Sequence, residues 1–257
     1  CKSLTSVRLP SSLSAVGSQL FEGCTSLKSI YVSDGITVIP EVFAGTCRAL
    51  EDVRLPETLC TIESRAFENC SGLKDIDIPD SVNDIGSYAF AGCIGLESIT
   101  LPAGIENIES HLLFGCVNLK ETMLPEGVKY IKDHAFSGCK SLKEVGLPVS
   151  LQRIGTAAFE NCVSLEAIRY YGASNQFELV AISAENDVLS TATVTYGHEH
   201  VYVTKRVEEC GSVAHTEHRC GCGYTYTTDY GAYVYHDLED VEVYAPTCSK
   251  DGYTVKL

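Results

Sequence analysis

The chain has 257 residues, 45% of them hydrophobic, with a formal net charge of −15 and a pI near 4.8. That balance excludes nucleic acid, whose phosphates select lysine and arginine, and docking on an anionic bilayer surface. Apolar runs stay short of the ~18 residues that cross a bilayer.

The chain opens inside a repeat. Cysteine stands at Cys1, Cys24, Cys47, Cys70, Cys93, Cys116, Cys139 and Cys162, every 23 residues without a slip. A fixed period in the twenties marks a solenoid, in which no coil can bury its apolar face alone. Because Cys1 is already in phase, the sequence reads as a segment of a longer protein. Equivalent residues of stacked coils lie about 4.8 Å apart with parallel side chains. A disulfide needs Cβ atoms about 3.8 Å apart and converging. The eight in-phase cysteines are therefore expected as buried free thiols; a metal-binding ladder is disfavoured inside a dry core.

Within each coil, apolar residues fall into rows. Leu stands three after cysteine, as in Leu27, Leu50 and Leu73, and Val or Ile six after, as in Ile30, Val53 and Ile76, with Thr122 breaking that row. An apolar-Pro pair follows (Leu9-Pro10, Leu55-Pro56, Ile78-Pro79, Leu101-Pro102, Leu124-Pro125, Leu147-Pro148), then an Ile/Val row through Ile39, Ile62 and Ile85, then Phe at Phe21, Phe67, Phe90, Phe136 and Phe159. The stretch from Leu to the residue before Pro ends in alternation, so it predicts a short strand that proline stops. The segment Ile-Gly-x-x-Ala-Phe-x-Gly-Cys predicts a turn with a short helical or irregular piece on the outer face. Gly17, Gly86 and Gly155 are expected to permit a backbone bend. Phe43 comes one place early, and Leu113 takes a Phe slot with Phe114 after it; both predict local repacking.

The combined pattern, Cys-x-x-Leu-x-x-Val-x-Leu-Pro followed by Ile-Gly-x-x-Ala-Phe-x-Gly-Cys, resembles the BspA-like leucine-rich repeat family of bacterial surface proteins. The resemblance runs from Cys1 to about Tyr196. It implies an extracellular leucine-rich repeat solenoid, with short parallel strands on one face and turns or short helical segments on the other. It also implies association with adhesion to host or bacterial surfaces.

The solenoid is expected over residues 1–167 and a capping unit over 168–196. There cysteine disappears, and the Val- and Thr-rich run Val188–Tyr196 can lay a last strand on the stack. From Gly197 the composition changes: eight of the 14 tyrosines and five of the seven histidines follow it, with no Ile, Phe or Met. Alternation at Val201-Tyr202-Val203 and Tyr233-Val234-Tyr235 predicts strands, giving a small β-rich module over 197–257. With so few large aliphatics it needs a staple. Two staples fit. Cys210, Cys220 and Cys222 with His198 or His200 make a structural zinc set, with His215 and His218 as further candidates. A disulfide from Cys210 to Cys220 or Cys222 is the other, permitted outside the cell. The tail also resembles a small His/Cys repeat module found beside such solenoids, beginning at His200-Val201-Tyr202. A truncated second copy starts at about His236 and includes Pro246-Thr247-Cys248. The Cys220-Gly221-Cys222 pair departs from that pattern by one residue.

No His-Glu-x-x-His, phosphate-binding glycine loop or Gly-x-Ser-x-Gly elbow is present, so the chain reads as non-catalytic. His111 and His134 read as surface or packing residues. What remains is surface. The row seven after cysteine points outward: Arg8, Tyr31, Arg54, Asp77, Thr100 and Met123 are the candidate binding residues, on a face roughly 38 Å long over eight coils. The expected partner is a host or bacterial surface protein or glycan, met outside the cell, with no nucleic acid and no membrane insertion. A structural spacer, or an accessory region of a larger surface protein or enzyme, is the alternative.

Overall fold

A computed structural model describes residues 1–172 and 174–197, together with the backbone of Tyr202–Val207, His215–Cys220 and Thr225–Asp229. The 23-residue period becomes a parallel β-solenoid. On the long face, Ser6–Arg8, Ser29–Tyr31 and Asp52–Arg54 pair in parallel, with Val7 opposite Ile30 and Ile30 opposite Val53. A second run on that face pairs Glu121–Met123, Glu144–Leu147, Ala167–Tyr170 and Thr193–Tyr196. The rows seen in the sequence are thus ladders along the axis. Pairing lapses at 75–77 and 98–100, which form no strand although Ile76 and Ile99 remain buried. Aspartate is a poor strand former, and Asp75 would stand directly beside Asp52, a like-charge pair that opposes pairing.

A second ladder of two-residue strands flanks the first. Val38–Ile39, Thr61–Ile62 and Asp84–Ile85 form one sheet; Asn107–Ile108, Tyr130–Ile131, Arg153–Ile154 and Ala181–Ile182 form another. Where the coil carries proline, the strand begins after a turn set by it, its carbonyl accepting an N–H three residues on, as from Leu59 to Pro56 at 3.0 Å and from Val128 to Pro125 at 3.1 Å. The row at that position, Ile36, Leu59, Val82, Ile105, Val128 and Leu151, is a further buried column which the sequence reading passed over.

The outer face is a chain of tight turns with no helix. The residue 18 after each cysteine is left-handed at Gln19, Val42, Arg65, Tyr88, His111, His134 and Ala157, with φ from 53° to 61°. The residue before each cysteine is also left-handed, and it is Gly, Asn or Thr. Gly and Asn take that conformation most readily. The alternation aims every second N–H at the next coil: Phe21 to the Phe43 carbonyl, Phe67 to Ala89 and Phe136 to Ala158, each at 2.8 Å. A helix would turn those bonds inward and leave the coils unlinked. Gly86 and Gly155 serve close approach and not a bend, since neither has positive φ. A Cβ on Gly86 would meet the Ser64 nitrogen at 2.5 Å, and one on Gly155 the Asp133 nitrogen at 2.7 Å.

Inside lie the columns of cysteine, leucine, isoleucine and phenylalanine. Phe43, though one place early, stays fully buried, 5.2 Å from Phe21 and 6.2 Å from Phe67 between ring centroids. Leu113 is buried in the Phe slot and Phe114 is pushed outward to 42% exposure. The in-phase thiols from Cys24 to Cys162 are buried and free, whereas Cys1, at the edge of the stack, and the out-of-phase Cys60 are exposed. Each buried thiol from Cys47 onward donates to a carbonyl of the preceding coil: Cys47 to Phe21 at 3.0 Å, Cys93 to Phe67 at 3.1 Å and Cys139 to Leu113 at 3.2 Å.

After Ala167–Tyr170 the chain makes two single-turn helices, Ser174–Phe177 and Val188–Thr191, before its last strand in the stack. Asn186 is buried there. Its Oδ1 accepts the Phe159 N–H at 3.0 Å, and its Nδ2 donates to the carbonyls of Gly155, Ser183 and Ala184. In earlier coils the N–H of the Phe slot binds the backbone of the next coil; here one side-chain amide takes the place of that peptide. The three tail strands form an antiparallel sheet with His215–Cys220 in the middle. No helix among the described residues is long and apolar enough to cross a membrane.

Candidate interaction surface

On the long face, alternation sends the residues five and seven after cysteine outward and the sixth inward, although Gly146 is itself covered and Val7, at the edge of the stack, is half-buried. In the first three coils this brings Arg8, Tyr31 and Arg54 together, as the common row predicts. The Arg8 guanidinium carbon lies 5.1 Å from the Tyr31 ring centroid and that of Arg54 5.2 Å, each within cation–π range. The two arginines belong to the coils on either side of Tyr31, so the ring is held between them. The Tyr31 hydroxyl donates to Asp52 Oδ2 at 3.0 Å, and the other oxygen of Asp52 faces Arg54 Nε at 3.8 Å. Arg54 remains 71% exposed at its side chain. Asp52 was legible as an outward residue, but its link to Tyr31 crosses from one outward row to the other and was not anticipated.

The remaining candidates are not part of this cluster. Asp77 and Thr100 are exposed on the coils where pairing lapses. A shallow groove opens beside Asp77, where Asp75, Asp80 and Glu57 face Asp52 and Arg54. Met123 is 38% exposed, and its sulfur accepts the Tyr171 hydroxyl at 3.2 Å. Tyr171 follows the last regular strand and folds back over Gly146, where a Cβ would meet its hydroxyl at 2.3 Å. No spacing rule in the repeat reveals that contact. Farther along, Arg169 closes on Glu144. Lys120 and Lys129 pair with Glu97 and Glu106 at 2.6 and 2.9 Å, each one period away. Such exposed pairs add little to stability and mainly cancel local charge.

A second surface feature runs along the outer turns. Arg65 lies over Tyr88 at 4.9 Å, Tyr88 stacks on His111 at 4.3 Å, and His111 on His134 at 4.7 Å. These residues share the left-handed row, so His111 and His134 pack as surface residues. Of the zinc ligands expected from sequence, His198, His200, Cys210 and Cys222 lie outside the described residues, as does the strand expected at Tyr233–Tyr235. Cys220 enters only through the backbone of its strand.

Residues 1–78 and 60–185 match, in six copies, the family described as BspA type leucine rich repeat region. Among solved structures, a leucine rich repeat protein of T. pallidum is similar at 31% identity, with a TM-score of 0.59 over 63% of this chain and 78% of its own. One from Bacteroides ovatus is similar at 28% identity and a TM-score of 0.59, over 77% of this chain and 57% of its own. A Eubacterium ventriosum leucine-rich repeat protein, at 19% identity and a TM-score of 0.52 over 79% and 62%, shares the fold. No curated protein matches the chain. With the 23-residue rows and the parallel ladders they build, these matches place the chain in the BspA-type leucine-rich repeat family.

Proposed function

We propose that the chain is a non-catalytic interaction module of a bacterial surface or secreted protein, and that it binds a protein or glycan partner through the strand face of its solenoid. The observation that carries this reading is the Arg8–Tyr31–Arg54 cluster. Arginine and tyrosine are the residue types that anchor interfaces, and here two exposed arginines and a half-buried tyrosine are held in place by their own contacts. Pre-ordered side chains lose less entropy on binding than free ones. The family resemblance supports the surface location, and the solenoid supplies the extended face. Residues 168–196 close the stack in this reading, and those from 197 form a separate small module.

The test is retention of the labelled chain on host epithelial and bacterial cells. Replacing Tyr31 and Arg54 with Ala lowers retention while the melting temperature holds within a few degrees. Unchanged retention by the folded double variant overturns the assignment of this face.

A further inference from the structure

We infer that the Arg8–Tyr31–Arg54 cluster binds an extended acidic polypeptide segment carrying carboxylates three residues apart and lying along the solenoid axis. This rests on the strand-face reading above and names the chemistry of the partner.

The first support is unspent positive charge. Arg8 forms no ion pair among the described residues and lies against the Tyr31 ring. Arg54 faces one carboxylate through Nε at 3.8 Å, longer than a charge-assisted hydrogen bond, and its side chain is 71% exposed. Arg169 on the same face is different, because Glu144 already occupies it.

The second support is spacing. Arg8 and Arg54 are two coils apart, which is ~9.6 Å along the axis. A polyproline-II chain has three residues per turn and rises ~3.1 Å per residue, so side chains at i and i+3 share a face ~9.3 Å apart. Two carboxylates on such a segment meet the two guanidinium groups together. Adjacent acidic residues do not.

The third support separates polypeptide from acidic glycan. Sugar rings commonly pack their C–H faces on an open aromatic face, but both faces of Tyr31 are covered by guanidinium. What the cluster offers is charge at fixed spacing, which suits flexible acidic side chains. The net charge of −15 does not forbid this, since at physiological ionic strength charges beyond about 8 Å are largely screened. Asp52 is the nearest competitor, a carboxylate of the chain itself already bound to Tyr31 and facing Arg54, and Glu57, Asp75, Asp77 and Asp80 line the groove beside Arg54, so the segment ends at Arg54 and extends from it toward Arg8.

The experiment measures fluorescence anisotropy of a labelled proline-rich peptide with glutamates at i and i+3, titrated with the full 257-residue chain. Binding is expected, weakened at least about tenfold when the glutamates become glutamine or are placed adjacent. The Arg8→Ala/Arg54→Ala variant loses it and Arg169→Ala keeps it, each checked for folding by circular dichroism. Asp52→Asn, which removes the competing carboxylate, binds more tightly than wild type. No binding by wild type, equal binding of the glutamine peptide, equal binding by the double arginine variant, or a uronate oligosaccharide bound at the cluster in preference to the peptide each overturns the inference. If the peptide fails while Tyr31→Ala/Arg54→Ala still lowers cell retention, the acidic-segment inference falls and the strand-face reading stands. If retention is also unchanged, both fall.

Discussion

The Cys93 thiol donates to the Phe67 carbonyl oxygen at 3.1 Å, and the same oxygen accepts the Cys70 N–H at 3.2 Å. The thiol row therefore does more than fill space: it satisfies the second lone pair of a buried carbonyl in each coil. Burial pushes the Cys47 thiol up to about 11 and the Cys93 thiol up to about 12, from an ordinary value of 9.0. The folded chain holds these protons after the unfolded chain has released them. Stability is thus complete below pH 9 and falls as pH rises through the raised values. Each such thiol contributes a slope of about 1.4 kcal/mol per pH unit in that window. Denaturant unfolding at a series of pH values above 9 checks this: Cys93→Ala should lower stability at pH 7 by about 1–2 kcal/mol and make the alkaline slope shallower by about one thiol. An unchanged slope would count against it.

The period made most of this interior legible. Once one side chain of a coil points inward, its counterpart 23 residues on does too, so Leu27, Ile39 and Phe67 could be placed in columns without coordinates. The column from Ile36 to Leu151 was harder to see, because it follows proline where the strand pattern has ended. The conformation of the outer turns was not legible, since Val42, Arg65 and Tyr88 carry no sequence mark of left-handed backbone. At the surface, Arg8, Tyr31 and Arg54 shared a row and were found to meet. Met123 and Tyr171 are 48 residues apart, and one of them lies beyond the repeat.

That last pair makes Gly146 a critical position. A Cβ there would lie 2.3 Å from the Tyr171 hydroxyl and 2.5 Å from the Met123 sulfur. Gly146→Ala should displace both side chains and cost about 1–3 kcal/mol by overpacking. Tyr171→Phe with Gly146→Ala should recover part of the loss, because the hydroxyl is the nearer obstacle. Thermal melts of the single and double variants decide it; additive losses would refute the proposed clash.

Asn186 stands in for the backbone of a coil that does not follow. Asn186→Ala leaves the buried Phe159 N–H and Gly155 carbonyl without that partner, at about 2–4 kcal/mol. Asn186→Asp should be worse than Ala, since a carboxylate oxygen would face the carbonyls of Gly155, Ser183 and Ala184 that now receive N–H donors. Amide hydrogen exchange should show early loss of protection at Thr193–Tyr196 in both variants. Greater stability of the aspartate variant over alanine would rule this role out.

The ring stack on the outer turns gives the solenoid an acid-sensitive edge. Burial first, and then neighbouring His134, hold the His111 imidazole below its usual value of 6.5, with Asp133 opposing. The unfolded chain takes up a proton near pH 6.5 that folded His111 resists. The stabilising contribution is therefore present above that pH and lost as pH falls below it. Tyr88 shows that an uncharged aromatic ring is accepted at the same left-handed position, with φ of 61° against 59° for His111. His111→Phe should keep the stack, which spans 4.3 Å to Tyr88 and 4.7 Å to His134, while removing the titration. Wild type should then lose stability between pH 7 and 5 more steeply than His111→Phe in matched urea titrations. Parallel curves for the two proteins would show that His111 does not set the acid response.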